Sequence, residues 1–422
     1  MQVVILGNGV AGATAALHLR QLQPDWRIVM VSGESTHHYS RPALMYLFMG
    51  HLRYSDCKPF EDRVWQRERI ALVRDWVTRI DVENGRLELL RGQPLAFDRL
   101  LIATGSEPNR FGWPGQDLEG VQGLWGLGDL HRLVQTMPRV ERAVVVGGGL
   151  IGIELGEMLH SRGVQVTFLV REPSYWNNVL PDEESVLVNR LIRRSGMELR
   201  LNTELSEILD DGQGRVAGVM TGQGDRLRCQ LVGLTAGVRP NITLLHPSGL
   251  SCARGVLVDA SLRSSVPEIL AAGDCAEIRP ADHEQTLLQQ VWYTGKAQGR
   301  VAAEVLAGRE ATYQPDIWFN SAKFLNLEYQ TYGQADPRRA GAGTLYWQHP
   351  DQRHALRIVH ADAQIAGFNA LGLRLRHRVC ERWIREQRSV SEVLDHLADA
   401  AFDPELFHDH LPAVTAALRS QL

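Results

Sequence analysis

The sequence predicts an α/β protein with two Rossmann-like dinucleotide-binding units and a C-terminal α+β domain, on three observations. The chain opens with QVVILGNGVAGATAALHLRQL, an apolar run that ends in Gly7-Asn8-Gly9-Val10-Ala11-Gly12 and passes into a helical pattern. The same grammar returns at AVVVGGGLIGIELGEMLHSRGVQVTFLV, around Gly147-Gly148-Gly149-Leu150-Ile151-Gly152. From about Tyr313 the composition shifts towards aromatic residues and arginine, which marks a separate C-terminal region.

Each element follows from its local pattern. Gln2 to Leu6 is short and apolar and reads as a strand; Ala15, Leu17, Leu19 and Leu22 recur at helical spacing; Arg27 to Val31 is the next strand. RLLIATGSEPN and LVGLTAGVRPN are apolar runs closed by small-residue turns and Pro-Asn exits, and read as paired crossovers. PEILAAGDCAEI is a buried strand leading to a Gly-Asp turn. LLQQVWYTGKAQGRVAAEVLAG then reads as a loop with a helix from about Ala297. In the tail, LYWQH, ALRIVH and QIAGFNAL are strand-like and precede helices near Val379 to Glu386 and Val390 to Ala401. The predicted domains are 1–111 with 242–314, 112–241, and 315–422.

In a G-x-G-x-x-G turn the first glycine permits the bend, the second leaves room for a pyrophosphate, and the third lets helix and strand pack closely. The phosphates then meet the positive helix N-terminus. One such match is a weak signal. Two, each placed between strand and helix, imply two dinucleotides. Glu34 ends the second strand of the first unit, where a carboxylate takes a ribose hydroxyl pair. The second unit has Val170 at that place, followed by Arg171 and Glu172. Arg171 would suit a 2′-phosphate, Glu172 would oppose it, and the choice of NADH or NADPH stays open.

Composition excludes other classes. The 422 residues are 44% hydrophobic, enough for more than one core, and the net charge of −4 gives no basic field for nucleic acid. No apolar run is long enough to span a bilayer, and the start lacks a signal-peptide pattern, so the expected location is cytoplasmic. Cys57, Cys229, Cys252, Cys275 and Cys380 form neither CxxC nor CxxxxC. His408 and His410, in FHDHLP, lack spaced cysteine or carboxylate partners and read as surface residues, so no metal site is predicted.

Together these motifs resemble the FAD-dependent pyridine nucleotide-disulfide oxidoreductase superfamily, in the branch of ferredoxin and rubredoxin reductases and nitrite reductase flavin modules. The resemblance extends to about Gln314. It implies FAD on the first unit, held by Gly7, Gly9 and Gly12 at the pyrophosphate, Glu34 at the ribose, and Arg41 and Pro42 of His38-Tyr39-Ser40-Arg41-Pro42 beside the nucleotide. Thr104 and Gly105 match the family's ATG crossover, and Gly273-Asp274 its ribityl-binding turn. The segment from Trp292 to Gly299 is similar to W-x-x-A-x-x-Q-G, with Gly295 in place of alanine, and puts Trp292 and a helix N-terminus beside the flavin. It implies NADH or NADPH on the second unit, held by Gly147, Gly149, Gly152 and Gly237 with Ala236, and Glu154 at the carboxamide. Glu154 also reads as an ordinary acid early in a helix.

Two departures are informative. SRPALMYLFMG, where disulfide and peroxide reductases of the superfamily carry redox cysteines, has none. Tyr46 stands where relatives often have a lysine near flavin N5, and reads equally as a packed aromatic. No acid–base residue is predicted, and Tyr46 and Trp292 are the flavin-adjacent candidates. The resemblance implies an NAD(P)H oxidoreductase whose electrons leave the flavin directly, first for a small redox protein of iron-sulfur type such as a ferredoxin or rubredoxin. LRLRHRVCERWIREQR would offer such a partner a basic face, or is a solvated helix face. The alternatives are an oxidase or quinone and small-molecule reductase, and a flavin-bound sensor without turnover. A homo-oligomer stays open.

Overall fold

The computed structural model describes residues 1–280, 286–402 and 408–422. They divide into two compact units: Met1–Asn109 with Gly123–Met137 and Gly237–Gln314, and Arg110–Gln122 with Pro138–Ala236 and Pro315–Leu422.

The first unit is built on a five-stranded parallel sheet. In spatial order its strands are Ile269–Ala271, Arg99–Ile102, Gln2–Leu6, Arg27–Val31 and Ile70–Val73. Its central strands are apolar on both faces: Val3, Val4, Ile5, Ile28, Leu100, Leu101 and Ile102 are fully buried, as expected of a parallel sheet covered on two sides. The strand order reverses beside Gln2–Leu6, which is where open α/β sheets leave a crevice at the strand carboxyl ends.

Helix Val10–Leu22 packs against helix Trp292–Leu306 through small residues. Ala11 and Gly299 meet so closely that a Cβ on Gly299 would overlap the Ala11 carbonyl, and one on Gly295 would lie 3.1 Å from Val10 Cγ1. The second helix starts at Trp292, five residues before the start expected from the sequence. Thr294-Gly295 looks like a breaker in the one-dimensional pattern, but the glycine serves close helix packing. The Pro-Asn exits of the two crossovers pair with each other, Ser106–Pro108 running antiparallel to Val238–Pro240.

The second unit repeats the plan. Its parallel sheet runs Glu198–Arg200, Gln165–Leu169, Arg142–Val146, Leu231–Leu234 and Val121–Gln122, again reversing beside the strand that feeds the glycine turn. A second layer is an antiparallel sheet ordered Phe319–Phe324, Leu327–Gly333, Gln364–Leu371, Ala355–Ala361 and Gly343–Gln348. The helices His377–Arg385, Val390–Asp395 and Leu411–Arg419 cover it.

Arg357, 2% exposed, fixes this sheet to helix Asp182–Arg194. Its Nε and Nη2 donate to the two Glu184 oxygens at 2.7 and 2.9 Å, and Nη2 donates to Glu183 at 2.7 Å. Breaking such a buried pair on one side costs about 3–5 kcal/mol, because the remaining charge is stranded. No helix among the described residues is long and apolar enough to cross a membrane.

Candidate functional site

Each parallel sheet delivers one glycine turn, and the two turns share their stereochemistry. Gly7 and Gly147 have φ of +111° and +122°, closed to side chains, and sit against the carbonyls of Ala103 and Thr235, each the residue just past the neighbouring strand. Gly12 and Gly152 pack on the carbonyls of Gly7 and Gly147. Between them, a Cβ at Gly9 or Gly149 would find nothing within 4 Å. Gly9 and Gly149 are the N-caps of helices Val10–Leu22 and Leu150–His160, and neither helix has a side chain capping its first amides. Unbonded amides, the positive dipole end and open space above the backbone suit a pyrophosphate, so both turns fit the dinucleotides expected.

An aromatic side chain latches each turn from the segment after the next strand. In the first unit His38, 2% exposed, bonds through Nδ1 to the Asn8 carbonyl at 2.8 Å, and Asn8 Nδ2 donates to the Ser35 carbonyl at 2.8 Å. Burial pulls the His38 pKa down to about 4, so a neutral imidazole donates that bond. In the second unit the Tyr175 hydroxyl, on a fully buried ring, donates to the Gly149 carbonyl at 2.9 Å.

Glu34 and Arg41, two further candidates of the first unit, share one network. Glu34 accepts from Tyr39 Oη at 2.5 Å, Arg41 Nη2 at 2.6 Å and the Leu127 amide at 2.9 Å. Arg41 also donates to the Trp125 carbonyl at 2.7 Å and lies over the Trp125 ring. Glu34 and Arg41 are thus partners of each other, and Tyr39, Trp125 and Leu127 complete a cluster that sequence reasoning did not find. Pro42 is exposed at the start of the single turn Arg41–Ala43.

Thr104 Oγ1 donates to the Asn241 carbonyl at 2.7 Å, and Gly105 has φ +71° with open space about it. The Gly273 amide donates to the buried Gln298 at 2.7 Å, which ties the Gly-Asp turn to helix Trp292–Leu306. Asp274 accepts from Ser106 Oγ at 2.5 Å; burial raises its pKa, with that bond and the charge of Arg41 opposing. Trp292 begins its helix, 6.0 Å from the His38 ring. Tyr46 is half-buried in the short helix Leu44–Met49, its ring 6.2 Å from His51. Gly237, in this first unit, accepts from the Asn109 amide at 3.1 Å.

In the second unit Glu154 lies in the first turns of helix Leu150–His160, and its pKa is pushed up to about 7 by burial and by Glu157, against the charge of Lys323. Lys323, from strand Phe319–Phe324, pairs with Glu157 at 2.8 Å. That neighbour is more than 160 residues away in sequence and has no local signature. Arg171, largely exposed, donates to Glu172 at 2.7 Å.

All five cysteines are free thiols, and burial raises Cys57, Cys229, Cys252, Cys275 and Cys380 away from thiolate character. Arg374, Arg385 and Arg388 of the basic stretch carry acid partners, Glu328, Asp316 with Glu381, and Glu386. Arg376, Arg378 and Arg382 are exposed, with no ion pair among the described residues.

Comparison with known proteins agrees with this geometry. A family model described as pyridine nucleotide-disulphide oxidoreductase matches residues 1–299. The chain is 32% identical to terpredoxin reductase of a Pseudomonas species, over 80% of this chain and 84% of that one. It is 31% identical to rhodocoxin reductase of Rhodococcus erythropolis, over 82% and 80%. The crystal structure of a ferredoxin reductase from Rhodopseudomonas palustris superposes with a TM-score of 0.81 and 25% identity, over 98% of this chain and 99% of that one. The chain therefore belongs to the pyridine nucleotide-disulphide oxidoreductase family.

Proposed function

We propose that the protein is an FAD-dependent NAD(P)H oxidoreductase that takes electrons from a reduced nicotinamide and passes them to a small redox protein of ferredoxin type. The observation that carries this reading is the pair of like-built glycine cradles in a chain whose SRPALMYLFMG segment has no cysteine. That segment supplies no thiol relay, and burial holds the nearby Cys57 and Cys275 away from thiolate character. Its relatives include reductases named for terpredoxin and rhodocoxin, which supports a protein acceptor.

In this reading FAD occupies the first cradle and the nicotinamide cofactor the second, and hydride transfer between them is the cofactors' own chemistry. The amides after Gly9 and Gly149 bind the pyrophosphates. Glu34 and Arg41 fix the adenosine end of FAD, with Pro42 at the nucleotide. Thr104, Gly105, Gly273 and Asp274 hold the ribityl side, and Trp292 with the N-terminus of its helix meets the flavin ring beside Tyr46. Glu154 orients the nicotinamide carboxamide. We place the 315–422 layer as a C-terminal domain, separate from the 1–111 with 242–314 and 112–241 cofactor domains. Arg171 is engaged by Glu172, which would repel a 2′-phosphate, so NADH is the proposed donor. Five unpaired thiols suit a reducing compartment, and we place the protein in the cytoplasm.

The test is steady-state reduction of a [2Fe–2S] ferredoxin beside reduction of an artificial dye. The double variant Arg378→Glu with Arg382→Glu should cut ferredoxin reduction at least ten-fold at low ionic strength and leave dye reduction within two-fold. Equal loss of both activities, or rapid oxygen turnover with no ferredoxin reduction by the wild type, would count against the protein acceptor.

A further inference from the structure

The hairpin between strands Gly343–Gln348 and Ala355–Ala361 carries His349, Asp351 and His354, one ligand atom of each lying within 4.8 Å of the others. Asp351 stands between the two imidazoles: His349 Nδ1 is 3.1 Å from Oδ1 and His354 Nδ1 is 2.7 Å from Oδ2. The backbone fixes this spacing. The His349 amide donates to the His354 carbonyl at 2.9 Å, and Gln352, at φ +61°, turns the chain between them. A fourth side chain comes from the far end of the sequence. The ring of His410, the N-cap residue of helix Leu411–Arg419, lies 4.3 Å from His354 and 4.9 Å from His349, centroid to centroid. The buried Trp347 backs the group, 5.8 Å from His349 and 6.0 Å from His410.

We propose that His349, Asp351 and His354 form a binding site for a divalent transition metal of the zinc type, with the adjacent His410 ring as the side chain that completes it. Four ligands at tetrahedral Zn–N and Zn–O bond lengths lie about 3.4 Å from one another. The two imidazoles pair with different oxygens of Asp351, at 3.1 and 2.7 Å, and taking one ligand atom from each residue the three lie within 4.8 Å of one another, so a bound ion draws them inward to that spacing. Three imidazoles on one such ion have ring centroids about 5 Å apart. The measured 4.3, 4.9 and 5.9 Å bracket that value. Three imidazoles and a carboxylate form a borderline donor set that suits zinc, cobalt, nickel or copper and not calcium or magnesium. Bound there, the ion ties the hairpin to the last helix, a structural staple distinct from both glycine cradles. His408 is exposed, as expected of a surface residue, whereas the hairpin partners of half-buried His410 lie more than 50 positions upstream and carry no local signature.

The experiment uses untagged, FAD-loaded full-length protein, stripped with a chelator and titrated with Zn²⁺ in competition with a chromogenic chelator. One equivalent should bind, Zn²⁺ should raise Tm, and Co²⁺ should give ligand-field absorption beyond the flavin bands with four-coordinate intensity. His354→Ala and His410→Ala should each weaken Zn²⁺ at least ten-fold and abolish the rise in Tm, at unchanged flavin content, while His160→Ala changes neither. Absence of stoichiometric binding by the wild type, or equal affinity in either of the first two variants, would overturn the site.

Discussion

The two glycine turns match in backbone and differ in what surrounds them. Gly7 and Gly147 share a conformation, Gly9 and Gly149 share open space, and each turn is latched by an aromatic side chain, His38 on the Asn8 carbonyl and Tyr175 on the Gly149 carbonyl. Beyond the turn the first unit invests in a partly buried network, Glu34 with Tyr39, Arg41 and the Leu127 amide, whereas the second shows an exposed Arg171–Glu172 pair and a shielded Glu154. The cradle provides generic recognition of a pyrophosphate. On the proposed function, the flanking residues would make the first site one of tight residence and the second one of exchange.

The sharpest way to break that comparison is to block each cradle alone. A Cβ meets nothing at Gly9 or Gly149, so valine there should leave the fold intact and exclude the phosphates. Gly9→Val should emerge colourless, having lost FAD. Gly149→Val should stay yellow, with kcat/KM for NADH down at least a hundred-fold. Flavin absorbance per protein and steady-state kinetics check both, and loss of flavin in Gly149→Val would mean that the two roles are not separate.

Glu154→Gln follows in size. The folded-state pKa is raised from 4.5 to about 7, so the folded protein holds a proton that the unfolded chain releases, and stability falls as pH rises through that window. Glutamine removes this loss. Thermal melts should show the variant stabilised above pH 7, by on the order of 1–3 kcal/mol, and unchanged near pH 4. Its NADH reduction rate should drop about ten-fold. A variant that is more stable and equally active would return Glu154 to an ordinary helix acid.

His38 works with the opposite sign. Its pKa is lowered from 6.5 to about 4, so the unfolded chain binds the extra proton, and the latch's contribution is present above pH 6.5 and lost as pH falls towards 4. Flavin retention should decline across that range, and His38→Gln should flatten the decline. Tyr175→Phe removes one hydrogen bond in the second unit, worth about 1 kcal/mol, and should raise KM for NADH several-fold without touching flavin content. The smallest effect concerns the exposed pair: Glu172→Gln frees Arg171 and should shift the NADPH-to-NADH ratio of kcat/KM upward by only a few-fold. No shift would remove Arg171 from cofactor selection.

Much of this was legible in the sequence, because a glycine turn between strand and helix is a local pattern. Gly7, Gly9, Gly12 and their counterparts needed nothing beyond their own spacing. What escaped was what the fold assembles from afar. Leu127 and Trp125 reach Glu34 and Arg41 across more than 80 residues. Lys323 reaches Glu157 across more than 160. Helix Trp292–Leu306 starts before its predicted position because close packing on Val10–Leu22 outweighs the low helix propensity of Gly295. Strand Phe319–Phe324 escapes because its polar-rich, mostly half-buried pattern carries little period-two contrast; Leu327–Gly333 does alternate, with Leu327 and Tyr329 buried beside half-buried Glu328 and Gln330, and was legible but not read; helix Leu411–Arg419 follows a short His-rich segment.

On the proposed function, the first cradle holds a flavin that is reducible from a nicotinamide bound in the second. An anaerobic titration of the FAD-loaded protein with NADH, and separately with NADPH, tests it directly through the oxidised flavin absorbance. Rapid bleaching complete at one equivalent of NADH, with slow or partial bleaching by NADPH, is the expected result. A flavin left oxidised by both nucleotides would contradict it.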